Sequence, residues 1–168
     1  MTVCSFILWP DVRLCTPCDH VKQVDDAVRV IWKDMLDTMY STGVGVGLAA
    51  CQIGVMQQLA VVDASDNGQD PIRMANPEVL ESSLQTREYT EASPNLPGVS
   101  AKISRPRGVT VTYLDETGTP VRKDFIGLWA TSVQHQIDHL NGKMYFDNLS
   151  GVKRKMLVAK AKKLAKRS

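Results

Sequence analysis

The chain has 168 residues, 43% of them hydrophobic, which is enough for one domain over residues 1–168 with its own core. No apolar run nears the roughly 20 residues needed to span a bilayer, and the first ten residues lack the basic start and small-residue cleavage site of a secretory leader. The net charge of +2 hides an asymmetry: eight of the twenty Lys and Arg residues lie in Gly151–Ser168 without one acid, so the rest of the chain holds twelve against eighteen Asp and Glu. A basic tail on an acidic body suits a polyanionic partner, while a solvated helix face is the plainer reading.

In chain order, the first element is a helix from Val24 to Tyr40, because Val24, Val28, Ile31, Met35, Leu36 and Met39 recur at helical spacing. The three glycines of Ser41–Gly47 then break it. Leu59–Asp63 reads as a short strand and Asn67-Gly68 as a turn. Gly108–Leu114 alternates around Val109, Val111 and Tyr113. With the turn signal Asp115–Gly118 and a return over Pro120–Phe125, it forms a hairpin. Ile126–Leu140 reads as a helix stopped by Asn141-Gly142. Met144–Leu149 is extended or irregular. Val152–Lys166 is a last helix that turns Met156, Leu157, Ala159, Leu164 and Val158 toward the body. The sum is an α+β fold: antiparallel or mixed strands around one buried helix, with a terminal helix added.

The four cysteines are Cys4, Cys15, Cys18 and Cys51. The Cys15-x-x-Cys18 pair has no second pair to complete a zinc knuckle, so free thiols in a reducing cytoplasm are expected. The sharpest chemical signal is His135-Gln136-Ile137-Asp138-His139. Residues four apart share a helix face, so both imidazoles can reach one metal ion. In metallohydrolases the second position of such a motif is a Glu that takes a proton from metal-bound water. Gln136 stands there, and an amide cannot take that proton at neutral pH.

Two further segments, Gly45-Val-Gly-Leu-Ala-Ala-Cys-Gln52 and Glu91-Ala-Ser-Pro-Asn-Leu-Pro-Gly-Val99, precede the histidines. In order and separation the three resemble the motifs of the peptide deformylase family: Gly-x-Gly-Leu-Ala-Ala-x-Gln, Glu-Gly-Cys-Leu-Ser and His-Glu-x-x-His. Asp11-Val-Arg-Leu14, Arg105-Pro106 and the hairpin after it extend the resemblance over nearly the whole chain. It implies the deformylase-like α+β fold and a metal held by one thiolate and two imidazoles. The reaction implied is removal of formyl from an N-terminal methionine.

The departures bear on activity. Ser93 stands where the resemblance puts the ligand cysteine, flanked by Ala92, Pro94 and Asn95. These neighbouring changes are those of divergence rather than of two targeted substitutions. His135 and His139 remain as ligands, with at best a neutral hydroxyl beside them, so an iron, nickel or zinc ion is expected to bind weakly or not at all. Cys51 is a conceivable substitute ligand. Asp138 either orients a ligand His or sits exposed on the helix. Gln52 matches the glutamine that holds the oxyanion. The backbone N–H that completes that hole falls by alignment on Pro94, which has none, with Leu96 nearby.

Resemblance also places Val46, Gly47, Leu96, Leu128, Thr131 and Ser132 along the pocket for the substrate's first side chain. Thr131 and Ser132 either make that pocket more polar or bond back into their own helix. The expected function is a deformylase-like protein without efficient deformylase activity, whose cleft binds a peptide end or a small ligand. The alternative is a repurposed or weak metallo- or serine-type amide hydrolase, with Ser93 as nucleophile and His135 or His139 as base. The resemblance implies a closing helix of the kind that in bacteria can dock near the ribosomal exit tunnel, so ribosomal RNA is the partner implied for the basic tail; no membrane partner is expected.

Overall fold

A computed structural model describes residues Met1–Ser168. The first helix, α1 (Asp26–Thr42), begins two residues later than its apolar spacing suggests. Asp25 serves as N-cap, its carboxylate accepting from the Val28 N–H at 3.0 Å. The helix closes on Gly43, whose φ of 62° is the left-handed conformation that glycine adopts without strain. Strand β1 (Gly47–Ala49) and a 3-10 turn at Ala50–Ile53 follow, then β2 (Leu59–Val62) and β3 (Ile72–Ser82). Strands β4 (Thr86–Glu91) and β5 (Ala101–Pro106) pair with each other in a separate antiparallel ribbon. The expected hairpin is present as β6 (Gly108–Leu114) and β7 (Pro120–Ile126), in register from Gly108–Ile126 to Leu114–Pro120. Helix α2 (Gly127–Leu140) and helix α3 (Gly151–Ala165) complete the chain, joined by a 3-10 turn at Tyr145–Asn148 where an irregular stretch is expected.

The main sheet is antiparallel in the order β1-β2-β3-β6-β7. Strand β2 explains its own composition. Ala60 and Val62 face α2, where they meet Met74, Val111, Val133 and Leu140. Leu59 and Val61 face α1, where they meet Trp32, Met35 and Met39. A strand covered on both sides reads as a continuous apolar run, and this one is Leu-Ala-Val-Val. A third apolar cluster lies under α3 and contains Leu14, Leu96, Ile103, Tyr145, Phe146 and Ala161.

Four strands, the three-residue β1 and the longer β3, β4 and β5, escape the sequence reading. Strand β3 carries two register shifts and a left-handed Asn76 (φ 51°), which break the period-2 pattern. Strands β4 and β5 carry mostly polar residues. On α3 the buried face is centred on Ala161, with Leu157, Val158 and Leu164 half-buried. Met156 and Ala159 point to solvent, contrary to expectation.

Candidate active-site cleft

Helix α2 lies between the main sheet and the β4–β5 ribbon, so its polar residues are buried along with its apolar ones. Thr131, Ser132, Gln134, His135, Gln136 and His139 are all buried. Buried polar groups need partners, and their search for them organises the site. His135 and His139 share one face, with their Nε2 atoms 3.2 Å apart. Nδ1 of His135 donates to Glu91 Oε1 at 2.7 Å. Its Nε2 is therefore an acceptor, available to the N–H of His139 Nε2. Burial, and then the neighbouring His135 and Arg105, push His139 well below the ordinary histidine value of 6.5. Its Nδ1 is buried without a partner.

Glu91 is the centre of a buried ionic chain. Arg105 donates to it through Nε (2.7 Å) and Nη2 (3.0 Å), and donates to Asp138 through Nη1 at 2.8 Å. Burial raises the Glu91 carboxyl pKa, but the bonds from His135 and Arg105 outweigh it and hold the pKa below the ordinary 4.5. Asp138 is thus not an idle exposed carboxylate: it anchors Arg105, which fixes Glu91, which orients His135. Sequence reasoning missed the roles of Glu91 and Arg105. The available signal is that a histidine on a fully buried helix needs a carboxylate, and Glu91 opens the second motif.

The other side of the site is a knot of neutral hydrogen bonds. Gln52 Oε1 accepts from Ala49 N at 2.8 Å. Gln52 Nε2 donates to Asn95 Oδ1 at 2.8 Å and lies 3.5 Å from Ser93 Oγ. Ser93 Oγ donates to Asn95 Oδ1 at 3.1 Å and accepts from Asn95 N at 3.3 Å. The N–H of Leu96 donates to Ser93 O at 3.0 Å. The amide that resemblance assigns to an oxyanion is therefore turned onto Asn95, and the N–H groups of Asn95 and Leu96 are turned onto Ser93. Ser93 bonds to Gln52 and Asn95 and to neither histidine, which removes the geometric basis of a serine nucleophile with a histidine base.

A cleft of about 220 Å³ runs along α2, lined by Val46, Gly47, Gln52, Glu91, Leu128, Thr131, Ser132, His135 and Gln136. Leu96 is a correction: it is packed in the third apolar cluster with Phe146 and Ala161 and does not border the cleft. It borders instead an apolar groove beside α3. Ser132 Oγ donates across the cleft to Val46 O at 3.2 Å, so it does not bond back into its helix. Strand β1 approaches α2 closely at a glycine: a Cβ on Gly47 would lie 2.5 Å from Ser132 Oγ and 2.6 Å from Gln136 Nε2, so those side chains would have to move. Gln136 Oε1 is buried with no partner.

The donor set does not fit a resident catalytic metal. The two Nε2 atoms stand at a spacing that two nitrogens about 2.0–2.1 Å from one ion can adopt, but nothing anionic joins them. No group of three His, Cys, Asp or Glu side chains gathers to hold an ion. Cys51 is turned away, donating to His139 O at 3.4 Å. Its thiol pKa is pushed up by hydrogen bonding with Cys18 and by burial, so it offers no thiolate.

Comparison with known proteins places this geometry. The family model for polypeptide deformylase matches residues 3–155. The peptide deformylase of Rhizobium meliloti (strain 1021) is 39% identical over 168 residues, 99% of this chain and 96% of its own. That of Teredinibacter turnerae is 39% identical over 165 residues, 97% of this chain and 96% of its own. Among solved structures, the peptide deformylase of Ehrlichia chaffeensis superposes with a TM-score of 0.91 at 31% identity, covering 99% of this chain and 98% of that one. That of Legionella pneumophila gives 0.90 at 37% identity, covering 98% and 96%. The chain therefore belongs to the polypeptide deformylase family.

Proposed function

We propose that this protein keeps the deformylase cleft as a place to bind a peptide end or small ligand and does not remove formyl groups efficiently. The observation that carries this reading is the Ser93–Asn95–Gln52 knot. It gives the position of the third metal ligand to a neutral, hydrogen-bonded hydroxyl. It also occupies the Gln52 amide with a protein acceptor. Gln136 adds the third deficit, since a carboxamide cannot act as general base. Catalysis of this kind needs base, ion and oxyanion donors together. An Ehrlichia chaffeensis relative is known in complex with actinonin, which supports the cleft as the place where ligands bind. Two neutral imidazoles are expected to retain little iron, nickel or zinc through purification. The exposed lysines of α3 are proposed to meet ribosomal RNA.

The test is hydrolysis of a formyl-Met peptide by the chain alone and with added iron, nickel or zinc. The expected rate is near background. Gln136→Glu with Ser93→Cys is expected to recover a small activity, and either change alone almost none. A wild-type turnover of about 10 s⁻¹, typical of enzymes, overturns the reading.

A further inference from the structure

The floor of the cleft is chemically unlike a methionine pocket. Leu128, Thr131, Ser132, His135 and Gln136 form one face of α2 along it. Thr131 and Gln136 are each more than nine-tenths buried. Gln136 Oε1 has no hydrogen-bond partner in the chain. Ser132 donates to Val46 O and Gln134 donates to Pro106 O and Ala130 O, while the Thr131 hydroxyl has no such bond. Ser132 keeps its acceptor capacity, because its one proton is committed to Val46. A thioether sealed against these groups would strip their water and return no hydrogen bond, which is the costly arrangement for a buried polar atom.

Charge narrows the choice further. Glu91 is the only carboxylate lining the cleft, and no Lys or Arg lines it. Both Glu91 oxygens are already matched, one by His135 and Arg105 and the other by Arg105. A cation finds no free anion there and an anion finds no cation. What remains is a demand for an uncharged group that both donates and accepts. A primary carboxamide has this chemistry: two N–H donors for the hydroxyl oxygens of Thr131 and Ser132, and one carbonyl for the N–H of Gln136 or the O–H of Thr131.

Resting on the reading of this cleft as a binding site, we infer that it selects a carboxamide side chain, glutamine, at the first position of a peptide in place of methionine. Glutamine and methionine have side chains of nearly equal length, so the discrimination lies in hydrogen bonding rather than fit. Sites built to hydrogen-bond a ligand group reject analogues that lack it far more strongly than apolar pockets reject a size change.

The test is calorimetric titration of the full chain with three tripeptides, Gln-Ala-Ser, Met-Ala-Ser and norleucine-Ala-Ser, each with a free and with a formylated amino terminus. The Gln peptides are expected to bind at least about tenfold more tightly than the Met and norleucine peptides, a conservative figure for such sites. Thr131→Val with Ser132→Ala, which removes both hydroxyls at nearly constant shape, is expected to reduce that preference to below about threefold, or half its free-energy difference. Thermal unfolding checks that this variant folds. Equal or tighter binding of the Met peptides overturns the inference while leaving a non-hydrolytic binding site. No binding of any peptide overturns the inference and leaves the proposed cleft to a small ligand. Rapid deformylation overturns the proposed function alone, and the Gln-to-Met ratio of kcat/KM then decides the selectivity in place of affinity.

Discussion

At the scale of the residue, the site is governed by one buried ionic chain. Arg105 and Glu91 are both nearly inaccessible, and each holds the other in its charged form. Removing one partner of such a pair leaves an uncompensated charge in the interior. Arg105→Met is therefore expected to cost about 3–5 kcal/mol in urea unfolding. Adding Glu91→Gln is expected to return part of that loss, because the stranded charge is gone. The acid limb of the stability profile follows from the same pair. Glu91 titrates below its ordinary 4.5 in the folded chain. Its contribution is thus complete above the unfolded value and drains as pH falls through the lower folded one. The loss of stability below about pH 4.5 should be shallower in Glu91→Gln than in wild type, as followed by thermal unfolding; parallel profiles would contradict the assignment. Neither partner is legible as a pair in the sequence, since fourteen positions and a strand reversal separate them.

At the scale of the element, α2 and α3 differ in what their sequences reveal. The apolar and histidine spacing of α2 makes both its existence and its shared His face legible, and its observed limits differ by one residue from those expected. What spacing cannot give is that the helix is enclosed on nearly every side, because that depends on the β4–β5 ribbon, whose strands carry little apolar signal. Helix α3 is legible as a helix but not in its facing: its apolar residues are spread around the axis, and packing against Trp9, Gly98 and Phe146 selects Ala161 and Leu164. Its Lys and Arg residues are exposed, and Arg154 is held by Asp147 at 2.8 Å. The charge hypothesis can thus be tested without disturbing the core. Replacing Lys153, Lys155, Lys160 and Lys163 by Gln is expected to abolish co-sedimentation with ribosomes at low salt, while the wild-type chain sediments and is released steeply as salt rises. Equal sedimentation of the two leaves α3 as a structural cap.

At the scale of the whole molecule, three apolar clusters divide the labour. Two sandwich the main sheet, and the third fastens α3, the amino-terminal segment and the loop that carries Ser93 and Asn95. Leu96 belongs to this third cluster, so its role is to hold the loop and not to contact a ligand. Leu96→Ala is expected to destabilise the fold by about 2–5 kcal/mol, the range for a buried leucine. Peptide affinity measured below the unfolding transition should change less than twofold. A lost affinity with unchanged stability would return Leu96 to the cleft. The sequence resemblance assigned it there because a motif orders residues along the chain, whereas the turn closed by Leu96 N on Ser93 O folds its side chain to the far side.

The glycine at position 47 sets how this cleft can change. Its backbone lies so close to Ser132 and Gln136 that a side chain there would push the Ser132 hydroxyl and the Gln136 amide aside, so at this point the wall is plain main chain. There it offers peptide groups, and Val46 beside it adds only apolar surface. On the proposed reading the opposing face of α2 carries the choice of ligand, and Thr131 and Ser132, which sit on it, belong to none of the three apolar clusters. Molecular recognition and folding are thereby written in separable sets of residues, so the ligand can be exchanged over a lineage while the framework that holds it stays as it is.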